Sequence, residues 1–221
     1  QAQILLFGFG WDETAVTALG EPVMLILLGL AAVFVLLGLA QIRRRFAEDP
    51  LFSTVWSVIV AILPVLLATI SFVFYGVYAR DWSHALFAIA LGAVLIAGAE
   101  LLSRQGAQSV FRRGIDLLLV GSFAAFALAL HALTDGIITT ILLAPLGFAY
   151  LMATRKRHWS GLPWVMVAAL AGVLVRIAWD PTLVGPDALS QTPILNQLLP
   201  GYGIPALLAL LSAYELRNWP G

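Results

Sequence analysis

Two ionisable pairs spaced four residues apart are the first features with chemical potential. His131 and Asp135 share one helical face, where a carboxylate could orient an imidazole or relay its proton. Arg176 and Asp180 have the same spacing at the end of an apolar run. A guanidinium stays charged and needs a partner or water. This second pair therefore either clamps a helix end or recruits an anion or a lipid headgroup. Asn196 and Tyr202 follow in the proline-rich stretch DPTLVGPDALSQTPILNQLLPGYG and could complete a polar, ligand-binding site with Arg176 and Asp180. Glu100 precedes Arg104 by four, the spacing of an ion pair on one helix face. Ala168, Gly172, Arg176 and Asp180 fall on one stripe at i+4 spacing. Small residues there would let another helix approach, so the stripe is expected to face protein.

Other chemistries lack their residues. There is no GxSxG elbow, Walker loop, HExxH or GxGxxG fingerprint. The absence of cysteine removes disulfides, zinc thiolates, iron–sulfur clusters and cysteine nucleophiles. The chain has three histidines, and of these His84 and His158 fall on opposite sides of the arrangement derived below. No metal site and no cofactor are implied. The 12 basic and 12 acidic residues balance, so there is no excess positive charge to grip nucleic acid.

The elements that must position these residues follow from composition. The chain has 221 residues, 61% hydrophobic and 11% charged, and its mean hydropathy is +0.96. A soluble domain carries about 25% charged residues. Lipid must therefore replace water over much of this surface. Crossing the hydrocarbon takes about 20 apolar residues. Seven runs qualify, at about 22–40, 54–78, 83–102, 115–133, 137–153, 162–179 and 201–216. They are continuously apolar, whereas barrel strands would alternate. The expected fold is an all-α, polytopic transmembrane helix bundle, read as a single transmembrane domain over 1–221. Pro64 and Pro145 are expected to kink their helices. Gly121, Ala125 and Ala129 form a small-residue packing seam. Pro193–Leu199 is amphipathic and reads as a short interfacial or re-entrant helix before a break at Pro200-Gly201.

Basic loops stay in the cytoplasm. Arg43–Arg45, Arg104, Arg112, Arg113, Arg155–Arg157 and Arg217 fall on one side if every run crosses once, leaving Arg80 outside and Arg176 within a span. The N-terminus is then periplasmic and the C-terminus cytoplasmic. Aromatics agree: Trp82, Tyr75 and Tyr202 sit near outer ends, and Trp56, Trp164 and Tyr214 near inner ends. The acidic outer loops, with Asp81, Asp135, Asp180 and Asp187, are read as positions where basic residues are selected against.

RIAWDP (Arg176–Pro181), TPILN (Thr192–Asn196) and GYGIPALLALLSAYELR (Gly201–Arg217) carry a family resemblance. From about Arg112 onward the chain resembles the bacterial family of large membrane proteins designated domain of unknown function 2339. The resemblance implies that the chain is the C-terminal portion of a longer polytopic protein, so other helices of that chain are expected partners beside membrane lipids. It supplies an architecture and no activity, and an Arg at position 176 resembles a family feature.

The absence of a legible catalytic constellation favours a structural or accessory role in the bacterial inner membrane over an enzyme. A transporter or lipid flippase using Arg176 and the segment before Gly201 is the second expectation. A membrane transferase acting on a lipid-linked substrate is the third. The orientation is directly testable because the chain has no native cysteine. In an Asp187→Cys variant, a membrane-impermeant maleimide should label from the periplasmic side; labelling only from the cytoplasm would reverse the topology.

Overall fold

A computed structural model describes residues 20–45, 50–76, 80–104, 108–134, 136–179 and 199–217. Among them the chain is all-helical. The long helices are α1 (Gly20–Arg45), α2 (Pro50–Tyr75), α3 (Trp82–Arg104), α4 (Gln108–Leu133), α5 (Gly136–Ala153) and α6 (Gly161–Trp179). A π-helical turn, Leu199–Gly203, leads into α7 (Ile204–Leu216). Among the described residues six segments are long and apolar enough to cross a membrane: Pro22–Ile42, Thr54–Tyr75, Trp82–Arg104, Arg112–Leu133, Gly161–Ala178 and Leu199–Leu216. Ile138–Ala153 is shorter but also apolar.

The helices outrun the apolar stretches from which the spans were read. The second ends at Tyr75 rather than 78, yet starts at Pro50. The fourth starts at Gln108, so Arg112 and Arg113 are helical, not in a loop. The first likewise runs through Arg43–Arg45. Apolarity marks only the part of a helix that lipid surrounds, whereas backbone hydrogen bonding continues into the polar zone. α2 and α5 continue unbroken through Pro64 and Pro145. Pro200 and Gly201 lie inside the π-helical turn that feeds α7. The Pro193–Leu199 segment, apart from Leu199, lies outside the described residues.

The chain forms two compact units, Gln1–Leu133 and Thr134–Gly221. In the first, α1 packs most extensively on α2, α3 on α4, and α2 on α4. Glycine and alanine make these approaches close, since helix association in lipid relies on packing rather than on expelling water. The expected Gly121–Ala125–Ala129 seam is buried along α4. A Cβ at Gly121 would stand 2.8 Å from the carbonyl oxygen of Ala61 on α2. In the second unit α5 packs on α6 and both touch α7. A Cβ at Gly147 would overlap Ala169. The buried stripe of α6 is Leu162, Val165, Met166, Ala169 and Val173. The expected i+4 stripe is therefore displaced: Ala168 is exposed, and Gly172 and Arg176 flank the buried face. The buried line runs one position on, through Ala169 and Val173.

Gly121→Ala should destabilise the bundle by about 1–3 kcal/mol, because the obstacle is backbone that cannot swing aside. Gly29→Ala, where nothing lies within 4 Å, should be neutral. Thermal unfolding in one detergent checks the contrast.

Candidate functional site

The most connected polar group in the described structure lies in the first unit. Asp81 stands immediately before α3, at the position of its N-cap. A cap carboxylate satisfies amides that have no partner in the first turn. Here Oδ1 accepts the backbone N–H of His84, the third residue of the helix, at 3.1 Å. The other carboxylate oxygen, Oδ2, is 2.7 Å from His84 Nδ1. A carboxylate only accepts, so the imidazole proton sits on Nδ1, and in the neutral ring Nε2 is left as an acceptor. Nε2 lies 2.9 Å from Ser71 Oγ on α2, which donates to it.

The backbone extends the connection to a third helix. The Asp81 N–H donates to the carbonyl of Ala132 in the last turn of α4, at 2.9 Å. Arg80 adopts a left-handed conformation, φ 74°, just before the cap. Such a conformation costs roughly 1–2 kcal/mol in a non-glycine residue, and the contacts of Asp81 offset it. Ser71 is 0%, His84 2% and Asp81 8% exposed. Phe72 presents its ring at 5.6 Å from the His84 ring and 5.7 Å from that of His131, both edge-on. Phe72, Ala68, Ala85, Ala129 and Ala132 form one apolar cluster around this end of the unit.

Of the residues singled out from sequence, Glu100 and Arg104 are brought together, with Arg104 Nε donating to Glu100 Oε1 at 2.8 Å. His131 lies in the last turn of α4 against Phe72. Its expected partner Asp135 lies outside the described residues, as do Asp180 and Asn196. Arg176 is half-buried on α6 and donates from Nη2 to the carbonyl of Gly136, the first residue of α5, at 3.3 Å. Gly136 has φ 53°, which its lack of a side chain permits. Thr134 and Thr139 share a hydrogen bond at the same helix start, 2.9 Å between their hydroxyl oxygens. Tyr202 is 41% exposed in the π-helical turn. At the other end of this unit Arg155 grips Glu215 with two bonds, 2.7 and 2.9 Å, and this hydrogen bonding, then charge, holds the guanidinium above its ordinary pKa.

Sequence reading missed Ser71, and it placed His84 and Asp81 outside without joining them. One signal was available: Asp-x-x-His at the start of an apolar helix is the spacing of a cap and the third helical residue. Nothing local links that motif to Ser71, 13 residues earlier on another helix. The cavity between α1 and α3, about 180 Å³, is lined by apolar side chains such as Val35, Phe87 and Leu91.

Apolar helices of this length, with buried polar groups tied to one another across the helices, define a multi-pass membrane protein. The chain belongs to the family of predicted membrane proteins DUF2339, whose model matches residues 3–189. That match takes in Arg176–Pro181 and the first six of the seven expected spans, and it stops before Thr192–Asn196 and Gly201–Arg217. No curated protein and no solved structure matches the chain.

Each relay substitution leaves a buried group unsatisfied. Ser71→Ala strips Nε2 of its donor and should cost about 1–3 kcal/mol. Asp81→Ala removes the cap as well as the acceptor for Nδ1 and should cost more. Unfolding midpoints of both variants check the order; an unchanged midpoint for Asp81→Ala would remove the relay from the stabilising contacts.

Proposed function

We propose that this chain is a structural or accessory multi-pass component of the bacterial inner membrane, with its C-terminus in the cytoplasm. The observation that carries the reading is the use made of the buried relay. Asp81, His84 and Ser71 are engaged with one another and with the amide and carbonyl groups of helix ends. Ser71, the group at the inner end of the relay, is wholly buried. Polar groups that satisfy each other in this way fix helix register instead of presenting chemistry to a substrate. The ion pairs Glu100–Arg104 and Arg155–Glu215 support the same reading, since each is satisfied within the protein.

One observation favours a second reading, a membrane transferase. Hydroxyl, imidazole and carboxylate stand in the order that activates a serine, with the proton of Nδ1 toward the carboxylate and Nε2 toward the hydroxyl. In that reading Ser71 Oγ would attack the acyl carbon of a lipid ester. His84 would take the serine proton and return it to the departing alcohol. The enclosure of Ser71 speaks against it, because an acyl carbon needs a path to Oγ.

A fluorophosphonate probe separates the two. The purified protein, in detergent and in native membranes, should form no adduct at Ser71, while Ser71→Ala should lower thermal stability. An adduct on the wild type that disappears in Ser71→Ala would replace the structural reading with the transferase one.

A further inference from the structure

One end of the second unit gathers positive charge above an apolar surface. α5 ends there, α6 begins there, and the Arg155–Glu215 pair brings the end of α7 alongside. The turn between α5 and α6 carries Arg155, Lys156 and Arg157, and Arg217 follows α7. Lys156, Arg157 and Arg217 are exposed. Four cations thus face one carboxylate among the described residues of this end. That carboxylate is held by both oxygens on Arg155, and the balance of charge among the described residues of this end is positive.

What lies beside the cations indicates the ligand. Trp164 in the first turn of α6 and Tyr214 near the end of α7 are 69% and 61% exposed. Large amphipathic rings at helix ends belong at the boundary between headgroups and hydrocarbon. Arg217 lies over the Tyr214 ring, 4.2 Å from its centroid, so its guanidinium is held at that boundary. Further along α7, Leu207, Leu210 and Leu211 are exposed. Cations, aromatic rings and aliphatic side chains therefore succeed one another along the helix, as phosphate, glycerol and acyl chain do along a phospholipid.

We propose that this end of the unit binds the anionic headgroup of a phospholipid, with Lys156, Arg157 and Arg217 facing the phosphate and α7 supporting the chain. Charge that serves only to orient the chain during insertion would show no preference among lipids in the folded protein.

Native mass spectrometry tests this on the full chain in detergent, offered equal amounts of phosphatidylglycerol and phosphatidylcholine with identical acyl chains. The wild type should retain phosphatidylglycerol at least tenfold better. Each of the three cations changed to Gln should lower that preference about fivefold, the effect of one Lys or Arg beside a charged surface. Lys156→Gln with Arg157→Gln should therefore nearly abolish it. The charge-neutral double variant Arg155→Gln/Glu215→Gln removes the clamp and no net charge, so it should keep the preference within twofold while unfolding at lower temperature. Equal retention of the two lipids by the wild type overturns the proposal. So does an equal loss in the charge-neutral variant, which would trace the preference to the fold. Inorganic phosphate protecting the lipid-free protein from heat as well as phosphatidylglycerol does would also overturn it, in favour of a site for soluble phosphate. Should the Gln variants not fold, salt titration of the wild type decides: a preference that weakens with salt supports the assignment, and one indifferent to salt sinks it.

Discussion

His84 sits between a carboxylate and a hydroxyl at the apolar end of four packed helices, and the geometry of that end depends on this ring. Lipid offers no hydrogen bonds, so a polar atom buried among the helices must find its partner in the protein. Asp81 meets that demand twice over, with its side chain serving the start of α3 and its backbone serving the end of α4. The ring then carries the connection to α2 through Ser71. Three helix ends are thus tied by groups that would each be costly to bury alone. Elsewhere hydroxyls solve the same problem locally. Thr69, Ser122 and Ser212 return their protons to carbonyls of their own helices. Each of these hydroxyls is thereby satisfied by its own helix.

Close packing supplies what the hydrophobic effect cannot supply inside lipid. At Gly121 and Gly147 one helix lies on another at a separation that leaves no room for a methyl group. Dispersion contacts there depend on the absence of side chains, so shape does the work that composition does in a water-soluble core. On α6 the buried line runs through Leu162, Met166, Ala169 and Val173, and Arg176 is carried to its edge, where it reaches the carbonyl of Gly136.

How much of this was legible in the sequence depends on the range of the interaction. Helix existence followed from unbroken apolar length, and the ion pair of Glu100 with Arg104 and the seam through Gly121 followed from spacing within one helix. Ends were misjudged where polar residues continue the helix, at Arg43–Arg45 and Arg112–Arg113, because apolarity reports lipid and not hydrogen bonding. The rotation of α6 was misjudged because spacing gives a face, while competition between neighbouring faces is settled by the partner helix. Ser71 was invisible for the same reason: one serine among the many on apolar helices acquires meaning only from what another helix places opposite it. The resemblance pointed to the right family partly through segments beyond Leu189, outside the region that the family match covers.

The most extensive contacts, α1 with α2, α3 with α4 and α5 with α6, all join helices consecutive in the chain. Each such pair is a hairpin whose partners leave the ribosome one after the other. Short loop closure makes these contacts entropically inexpensive. A nascent chain with this pattern can hand the membrane one hairpin at a time, each already shielding its small-residue seam. The bonds between hairpins come later by necessity. Ser71 on α2 cannot meet His84 until α3 has begun, and Arg155 cannot meet Glu215 until the end of α7 has been made. Each of these two ties thus joins a later helix to a hairpin that is already complete.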